Sequence, residues 1–324
     1  MESPAADALD VELLHALELD GRAPFSRIAT VLGVSDQTVA RRYRRLLTEG
    51  GLRVVAVRNN RRLGRDDWML RLRCAPDAAE TIANALARRP DTAWIGLTSG
   101  GTEIVCMTRP RTAGDQDDLL LGKLPRTPHI LEIRAFQMLH TFFGGPVGWL
   151  VKHGPLTEEQ VAALRRAPVP DTGPARITAE DEPLVAALER DGRATYPELQ
   201  RATGRSESAV KRRLGQLLGS GALFIDIEYD SALIGFAVGA ILWITTAPDA
   251  LEAVGSAMAA HREVAHAGAT SGPSNLVATV VARDTAELYA YVSGKLGRLE
   301  GVQHVETSPF LRRVKQLTYQ LPLR

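Results

Sequence analysis

Residues 20–52 read DGRAPFSRIATVLGVSDQTVARRYRRLLTEGGL, and residues 191–223 read DGRATYPELQRATGRSESAVKRRLGQLLGSGAL. An offset of 171 carries Asp20-Gly21-Arg22 onto Asp191-Gly192-Arg193, Ser35 onto Ser206, Val39 onto Val210, Arg41-Arg42 onto Arg212-Arg213, and Leu46-Leu47 onto Leu217-Leu218. The register continues outward. Leu63-Gly64 meets Ile234-Gly235, and at offset 172, one inserted residue later, Thr98-Ser99-Gly100 meets Thr270-Ser271-Gly272. A register held this long marks two copies of one two-part module.

The first part of the module is helical. Leu9, Leu13, Leu14 and Leu17 share one helical face, and Asp20-Gly21 ends that helix. Phe25 to Leu32 predicts a second short helix with Ile28, Ala29 and Leu32 inward. Gly33 supplies the tight turn, because glycine tolerates a positive φ. Ser35 caps a third helix, with Asp36 at its positive end and Val39, Tyr43, Leu46 and Leu47 as its buried stripe. Gly50-Gly51 ends it, and Leu52 to Val57 reads as a strand. The frame is a helix-turn-helix followed by a wing.

The second part has a different rhythm. Strands are expected at Trp68–Cys74, Thr92–Thr98, Ile104–Thr108 and Ile130–Leu139, with helices at Asp77–Arg88 and Asp115–Leu124. The second copy repeats the order over Phe236–Thr246, Asp249–His261, Val264–Ala269, Leu276–Arg283, Thr285–Arg298 and Val302–Arg313. The order βαββαβ predicts a ferredoxin-like antiparallel sheet with helices on one face. The fold class is therefore α+β, with two winged helix-turn-helix domains, each followed by a ferredoxin-like domain. The expected boundaries are 1–57 and 58–143 for the first copy and 176–229 and 230–324 for the second. A proline-rich linker at 144–175 holds Pro146, Pro155, Pro168, Pro170 and Pro174. Within it, Thr157-Glu158-Glu159-Gln160 predicts one capped short helix.

Composition agrees with a folded protein of several domains: 324 residues, 45% apolar and 24% charged. The net charge of +1 hides a local imbalance, because arginines crowd the third helix. Cys74 and Cys106 fall on strand-like runs and are expected to fill a core, in keeping with a cytoplasmic setting. No basic start with a following apolar stretch suggests a leader, and the apolar run Ala232–Ile244 is too short for a membrane helix. It is expected to form a buried strand.

The third helix carries the chemistry. Arg41, Arg42, Arg44 and Arg45 crowd it, with Gln37 and Thr38 in its first turn. A helix entering the major groove presents its first turns to base edges while flanking arginines neutralise phosphates. Gln can read adenine and Arg guanine through paired hydrogen bonds. Arg42 borders the buried stripe and is expected to brace the motif. The second copy offers Ser208, Lys211, Arg212 and Arg213, with Glu207 offsetting part of the charge. Arg205 replaces Val34 at a position expected to pack the turn. The second helix either binds DNA less tightly, reads a different half-site, or is a structural copy.

These motifs resemble the Lrp/AsnC (feast/famine) family of transcription regulators. The likeness rests on Leu9-Asp10 with Leu13-Leu14, Asp20-Gly21-Arg22, the Ser35, Val39, Arg42-Tyr43 and Leu46 helix, Gly50, Leu63-Gly64 and the Ser99-Gly100 loop. Val302, Val305, Thr307 and Val314-Lys315 resemble the family's last strand. A usual member has one copy; this chain has two. The resemblance implies duplex DNA as partner and a small-molecule effector, an amino acid in several members, near the loop after the second strand. Here that loop offers Ser99, Gly100, Thr102 and Glu103 in one copy, and Ser271, Gly272, Ser274 and Asn275 in the other. Glu103 is the candidate partner for an ammonium, since an amide such as Asn275 supplies no charge. A plain β-turn facing water accounts for the same glycines.

The seven histidines form no metal-ligand spacing, and no cofactor fingerprint is present, so neither metal nor cofactor is expected. Three functions compete. The first is a non-enzymatic DNA-binding regulator. The second resembles the sirohaem decarboxylases of the same architecture, which act on a tetrapyrrole and also occur as fused pairs. The third is a metabolite-sensing scaffold. The arginine-rich helix favours the regulator. The two sheet domains are expected to pair within the chain as a pseudo-dimer, with further association of whole chains.

Overall fold

The computed structural model describes residues 6–112, 114–165 and 175–318. In the first copy, helices α1 (Ala8–Leu19), α2 (Phe25–Leu32) and α3 (Asp36–Thr48) lead into strand β1 (Arg53–Arg58). Strand β2 (Trp68–Cys74), helix α4 (Ala79–Ala87), strands β3 (Thr92–Thr98) and β4 (Glu103–Thr108), a helical stretch opening with α5 (Asp115–Asp117), and the long strand β5 (Ile130–Phe143) complete it. Helix α6 (Glu158–Leu164) follows. The second copy runs α7 (Glu182–Arg190), α8 (Tyr196–Thr203), α9 (Glu207–Gly219), β6 (Leu223–Glu228), β7 (Val238–Thr246), α10 (Leu251–Ala260), β8 (Val264–Thr270), β9 (Leu276–Ala282), α11 (Thr285–Ala290), β10 (Val302–Pro309) and β11 (Arg312–Lys315).

These pieces assemble by kind, not by copy. One unit gathers Met1–Gly64 and Pro146–Gly235, which hold both helix-turn-helix motifs; the other gathers Arg65–Gly145 and Phe236–Arg324.

In the first unit, β1 and β6 pair antiparallel, from Arg53 opposite Glu228 to Arg58 opposite Leu223. Each strand also packs on the other copy's helices. Ala56 of β1 lies in the core of α7, α8 and α9, and Ile227 of β6 lies in the core of α1, α2 and α3. This exchange explains the repeated Asp-Gly-Arg. A Cβ on Gly21 would come within 2.5 Å of an Ile225 methyl, and one on Gly192 within 3.0 Å of the Val55 backbone. The arginines then cross over reciprocally. Arg22 donates to the carbonyls of Gly192 and Ala194 at 2.5 and 3.1 Å, and Arg193 donates to those of Gly21 and Ala23 at 2.6 and 3.0 Å.

The segment after β5 is less of a linker than its prolines suggest. Thr157 and Gln160 form the expected capping box of α6. Leu150, Leu156 and Leu164 enter the core of the first three helices. Backbone N–H groups of Trp149, Leu150 and Val151 donate to the Glu18 carboxyl, whose pKa is pushed up by burial and by nearby Asp226. The prolines at 168, 170 and 174 lie outside the described residues.

In the second unit, nine antiparallel strands follow the order β10-β7-β9-β8-β5-β2-β4-β3-β11. Each copy forms its own four-stranded piece, and its last strand runs on into the other copy. Residues 130–137 of β5 pair with β2, and from Met138 to Phe143 the strand pairs with β8. Likewise β10 pairs with β7, and β11 continues onto β3, with Arg312 opposite Leu97. The outer faces are covered by α4 in one copy and by α10 and α11 in the other. The inner faces meet through Met69, Val105, Met107 and Phe136 from the first copy and Ile241, Trp243 and Val277 from the second. The pairing expected of the two sheet domains is thus present within one chain.

Two expectations change. The run Ala232–Ile244 is not one strand: Ser231–Ile234 forms a 3-10 turn, Gly235 reverses the chain at φ +87°, and the strand begins only at Val238. Arg205 does not pack the turn as Val34 does; it reaches Glu180 at 3.0 Å. Cys74 and Cys106 are free and buried, and burial pushes their thiols up to about 11 and about 12. Among the described residues, no helix is long and apolar enough to cross a membrane.

Candidate nucleic-acid interface and effector loops

Helix α3 is set by its ends and its buried stripe. Ser35 accepts the Thr38 N–H at 3.1 Å, and Val39 and Leu46 are buried. The outward positions are Gln37, Arg41 and Arg44, all exposed. The Arg44 Nε–H folds back onto the Ala40 carbonyl at 3.2 Å, and Arg41 makes no ion pair among the described residues. Thr38 is half-buried with its hydroxyl 2.9 Å from that of Ser35, so it serves the cap as well as the first turn.

The other two arginines are anchored. Asp7 and Asp10 form the capping box of α1, and Asp10 is fully buried. Arg42 donates to Asp7 and to Asp10, the latter at 2.9 Å, and Arg45 donates to the second Asp10 oxygen. Arg42 holds the Asp7 carboxyl below the usual range. Arg42 therefore braces the motif, as its place beside the stripe suggests. Arg45 is a correction in emphasis: its guanidinium ties α3 to α1, and the outward cations of α3 are Arg41 and Arg44.

Helix α9 repeats the brace. Thr178 and Asp181 form the equivalent capping box, and Arg213 donates to Asp181 at 2.8 and 2.6 Å. This pairing holds the Asp181 carboxyl down at about 2. Ser206 accepts the Ala209 N–H at 3.4 Å and lies 3.2 Å from the Ser208 hydroxyl. Lys211 is tied to Glu207 at 2.6 Å on the same helix face, and Arg212 stays exposed. Of the four residues expected to meet DNA here, Arg213 is structural, Lys211 is partly neutralised, and Ser208 and Arg212 face out.

The sequence points to Arg42 as a brace but not to its partner Asp10, nor to the second brace at Arg213, although a signal was present. Asp10 and Arg42 recur together as Asp181 and Arg213 at offset 171, an acid and an arginine repeated at the same separation in both copies.

The effector loops differ from expectation. Ser99, Gly100 and Gly101 hold positive φ of 51°, 67° and 89° in succession, an unusual conformation for a serine. Ser99 and Gly100 are exposed, and the Thr102 hydroxyl donates to the Ser99 carbonyl at 2.8 Å. Glu103 does not present a free carboxylate. It is buried, accepts Arg71 Nε–H at 2.8 Å, and accepts the Thr98 hydroxyl at 2.9 Å. In the second copy, Asn275 is spent on the backbone N–H and carbonyl of Thr246, at 2.9 and 3.0 Å. Ser271 receives the Gln137 N–H at 2.9 Å, and the Ser274 carbonyl receives the Thr270 hydroxyl at 2.7 Å. Gly272 is exposed at φ +98°.

Comparison with known proteins follows the same division. Residues 7–47 match the AsnC-type helix-turn-helix domain, residues 184–222 a winged helix-turn-helix DNA-binding domain, and residues 239–319 the Lrp/AsnC ligand binding domain. An HTH-type transcriptional regulator of Pyrococcus furiosus is 30% identical over 144 residues, which cover 43% of this chain and 94% of the relative. The HTH-type transcriptional regulator LrpA of Pyrococcus horikoshii is 26% identical over 140 residues, 43% of this chain and 99% of the relative. Among solved structures, the siroheme decarboxylase NirDL superposes with a TM-score of 0.63 at 16% identity, covering 95% of this chain and 92% of its own. That likeness is one of fold.

Proposed function

The chain belongs to the Lrp/AsnC family of transcription regulators, and from that premise we propose that it binds duplex DNA, with α3 as the leading recognition helix and α9 as the weaker one. The observation that carries this reading is the separation of roles on α3. Two arginines are consumed in bracing, while Arg41, Arg44 and Gln37 face out from a helix whose orientation the brace holds. Arginines that served only to stabilise the fold would need no outward pair. Outward guanidiniums at one-turn spacing suit phosphates, and Gln37 in the first turn suits a base edge. In this reading the protein acts as a cytoplasmic regulator through DNA binding. Capture of bound genomic DNA from cells, followed by anisotropy of the recovered fragments against salt, tests the reading. A flat salt response would overturn it.

An effector, an amino acid or related metabolite, fits the exposed turns at Ser99-Gly100 and Ser271-Gly272. In this reading Ser99, Gly100, Thr102, Ser271, Gly272 and Ser274 supply contacts, while Glu103 and Asn275 hold the loops in shape. Calorimetry with single amino acids tests it: Ser99→Ala is expected to weaken binding, and Glu103→Gln to lower stability first. Further association of whole chains belongs to the same proposal, since Leu131, Leu139 and Leu311 are exposed on the sheet strands and their connection. Sedimentation across a concentration series decides it. The whole-chain likeness in fold to a siroheme decarboxylase keeps one enzymatic reading in view. Tetrapyrrole turnover by a sample that shows no salt-dependent duplex binding would favour that reading instead.

A further inference from the structure

The inner faces of the two half-sheets are alike in backbone and opposite in charge. At offset 172, Arg71 corresponds to Trp243, Arg134 to Glu306, and Glu103 to Asn275. Within the first copy, Arg71 sits directly across from Arg134; within the second, Trp243 sits directly across from Glu306. Two arginines facing each other across a strand pair repel, and with Arg73 beside them and only Glu103 and Glu132 as acids of the same copy, the first copy alone carries one surplus positive charge on this face. The second copy carries an acid with no cation of its own at these positions.

Together the faces are complementary. Arg71 donates to Glu306 through both terminal nitrogens, at 2.9 and 2.6 Å, and to Glu103 at 2.8 Å. Its guanidinium lies over the Trp243 ring at 4.6 Å. Arg71 is 8% exposed and Glu103 9%. Glu306 is held below the usual carboxylate range, chiefly by Arg71 and further by Arg134. Arg134 and Arg73 in turn hold Glu132, at 2.7 and 3.5 Å, so the three cations Arg71, Arg73 and Arg134 are balanced by the three anions Glu103, Glu132 and Glu306.

We propose that this cluster is a pairing code, which makes each half of the chain a partner for the other half and not for its own kind. Like-with-like assembly places the equivalent residues in each other's contacts. Two first-copy faces would bring six arginines (Arg71, Arg73 and Arg134, each twice) against four glutamates (Glu103 and Glu132, each twice), with Arg71 meeting Arg134 where it now meets Glu306. Two second-copy faces would bring two glutamates together with no cation, and two indoles where one guanidinium now stacks. A buried Arg71 facing another arginine is strongly unfavourable, whereas Glu306 is about half exposed, so pairing two second-copy faces costs the lost bidentate and stacking contacts of Arg71 more than it costs in desolvation; both alternatives lose to the mixed pair. A single-copy relative, whose two faces are identical, cannot use such a device. In this chain the code ensures that one assembly always contains one first copy and one second copy. This inference does not depend on DNA binding.

The test uses the full chain and charge reversal. Arg71→Glu leaves four acids against two arginines, and Glu306→Arg leaves four arginines against two acids. Each is expected to lower the melting temperature by roughly 5–15 °C. The double variant Arg71→Glu/Glu306→Arg restores the balance and is expected to recover more than half of that loss. Co-expression of the two single variants, one isotope-labelled, supplies an independent reading. Each half then finds its match only in the other chain, so cross-links between residues 68–139 and 236–313 should become mainly inter-chain, whereas the parent shows them within one chain. If single variants do not accumulate, soluble yield of the double variant and of the co-expressed pair takes the place of melting. A double variant no better than the poorer single one, or co-expressed variants with the parent's link pattern, would overturn the proposal.

Discussion

Helices α3 and α9 share a frame and differ in what the frame carries. Both are capped by a serine, both bury valine and leucine, and both are tied to the capping box of their first helix by the equivalent arginine, Arg42 or Arg213, to which α3 adds Arg45. Beyond that tie they diverge. Arg44 corresponds to Gly215, Gln37 to Ser208 and Thr38 to Ala209, and the lysine of α9 is engaged by Glu207. The difference teaches where a duplicated motif is free to change. The arginine that ties the third helix to the first is kept in both copies, as Arg42 and Arg213, whereas of the outward positions only Arg41 is kept, as Arg212.

The contrast can be broken most directly at the outward cations. Arg41→Ala/Arg44→Ala is expected to reduce duplex affinity at least tenfold near 0.1 M salt and to flatten the slope of log affinity against log salt by about 2. The matched pair Lys211→Ala/Arg212→Ala should cost only a few-fold. Equal losses by anisotropy would mean that the two helices contribute alike.

The reciprocal clasp offers the next comparison. Arg193 stacks over Phe25 and Tyr43, with its guanidinium 4.5 and 5.4 Å from the ring centres, whereas Arg22 lies farther from the Tyr196 ring, at 5.8 Å. Arg193→Ala should therefore destabilise by about 2–3 kcal/mol and Arg22→Ala by about 1–2. Urea unfolding measures both, and the reverse ranking would show that the stacking contributes nothing.

Acid titration sharpens the comparison of braces. Asp181 is held at about 2 in the folded chain, below its usual value of 3.8. A depressed carboxyl stabilises the fold above its unfolded pKa and loses that contribution as pH falls through the folded one. The contribution, about 2 kcal/mol at most, should be complete above pH 4 and gone below about pH 2. Asp181→Asn should be less stable at neutral pH and lose less on acidification over that window.

The smallest effect is a gain. Glu207→Ala releases Lys211 and removes a negative charge from the first turn of α9. Duplex affinity should rise by roughly two-fold at low salt and be unchanged near 0.5 M, where exposed charges are screened. An unchanged affinity at low salt would place Lys211 away from the phosphates.

Much of this molecule is written locally. The helix at Phe25–Leu32 and the strands at Trp68–Cys74 and Thr92–Thr98 appear with the expected ends, because a periodic apolar stripe between glycine or serine punctuation needs no distant partner. The cap at Ser35, the turn at Gly33 and the box at Thr157 are equally local. Their hydrogen bonds close within four residues, so residue type alone specifies them. What each polar side chain does is another matter. Arg41 and Arg45 are indistinguishable in the sequence, yet one faces out and the other binds a buried aspartate on α1.

By itself the sequence determined the duplication, the helix-turn-helix frames, the two βαββαβ orders and the outward cationic character of α3. Only the tertiary structure decided that like domains gather across the copies, that β5 runs past Leu139 to Phe143, and that the Glu103 carboxylate is held by Arg71. The physical reason is range. A helix or turn is selected by neighbours a few residues away, whereas the extension of β5, the crossing arginines and the Arg71 cluster gain their energy from groups more than a hundred residues distant. No local pattern encodes such a partner; it emerges when two half-buried faces of opposite charge and matching shape are brought together.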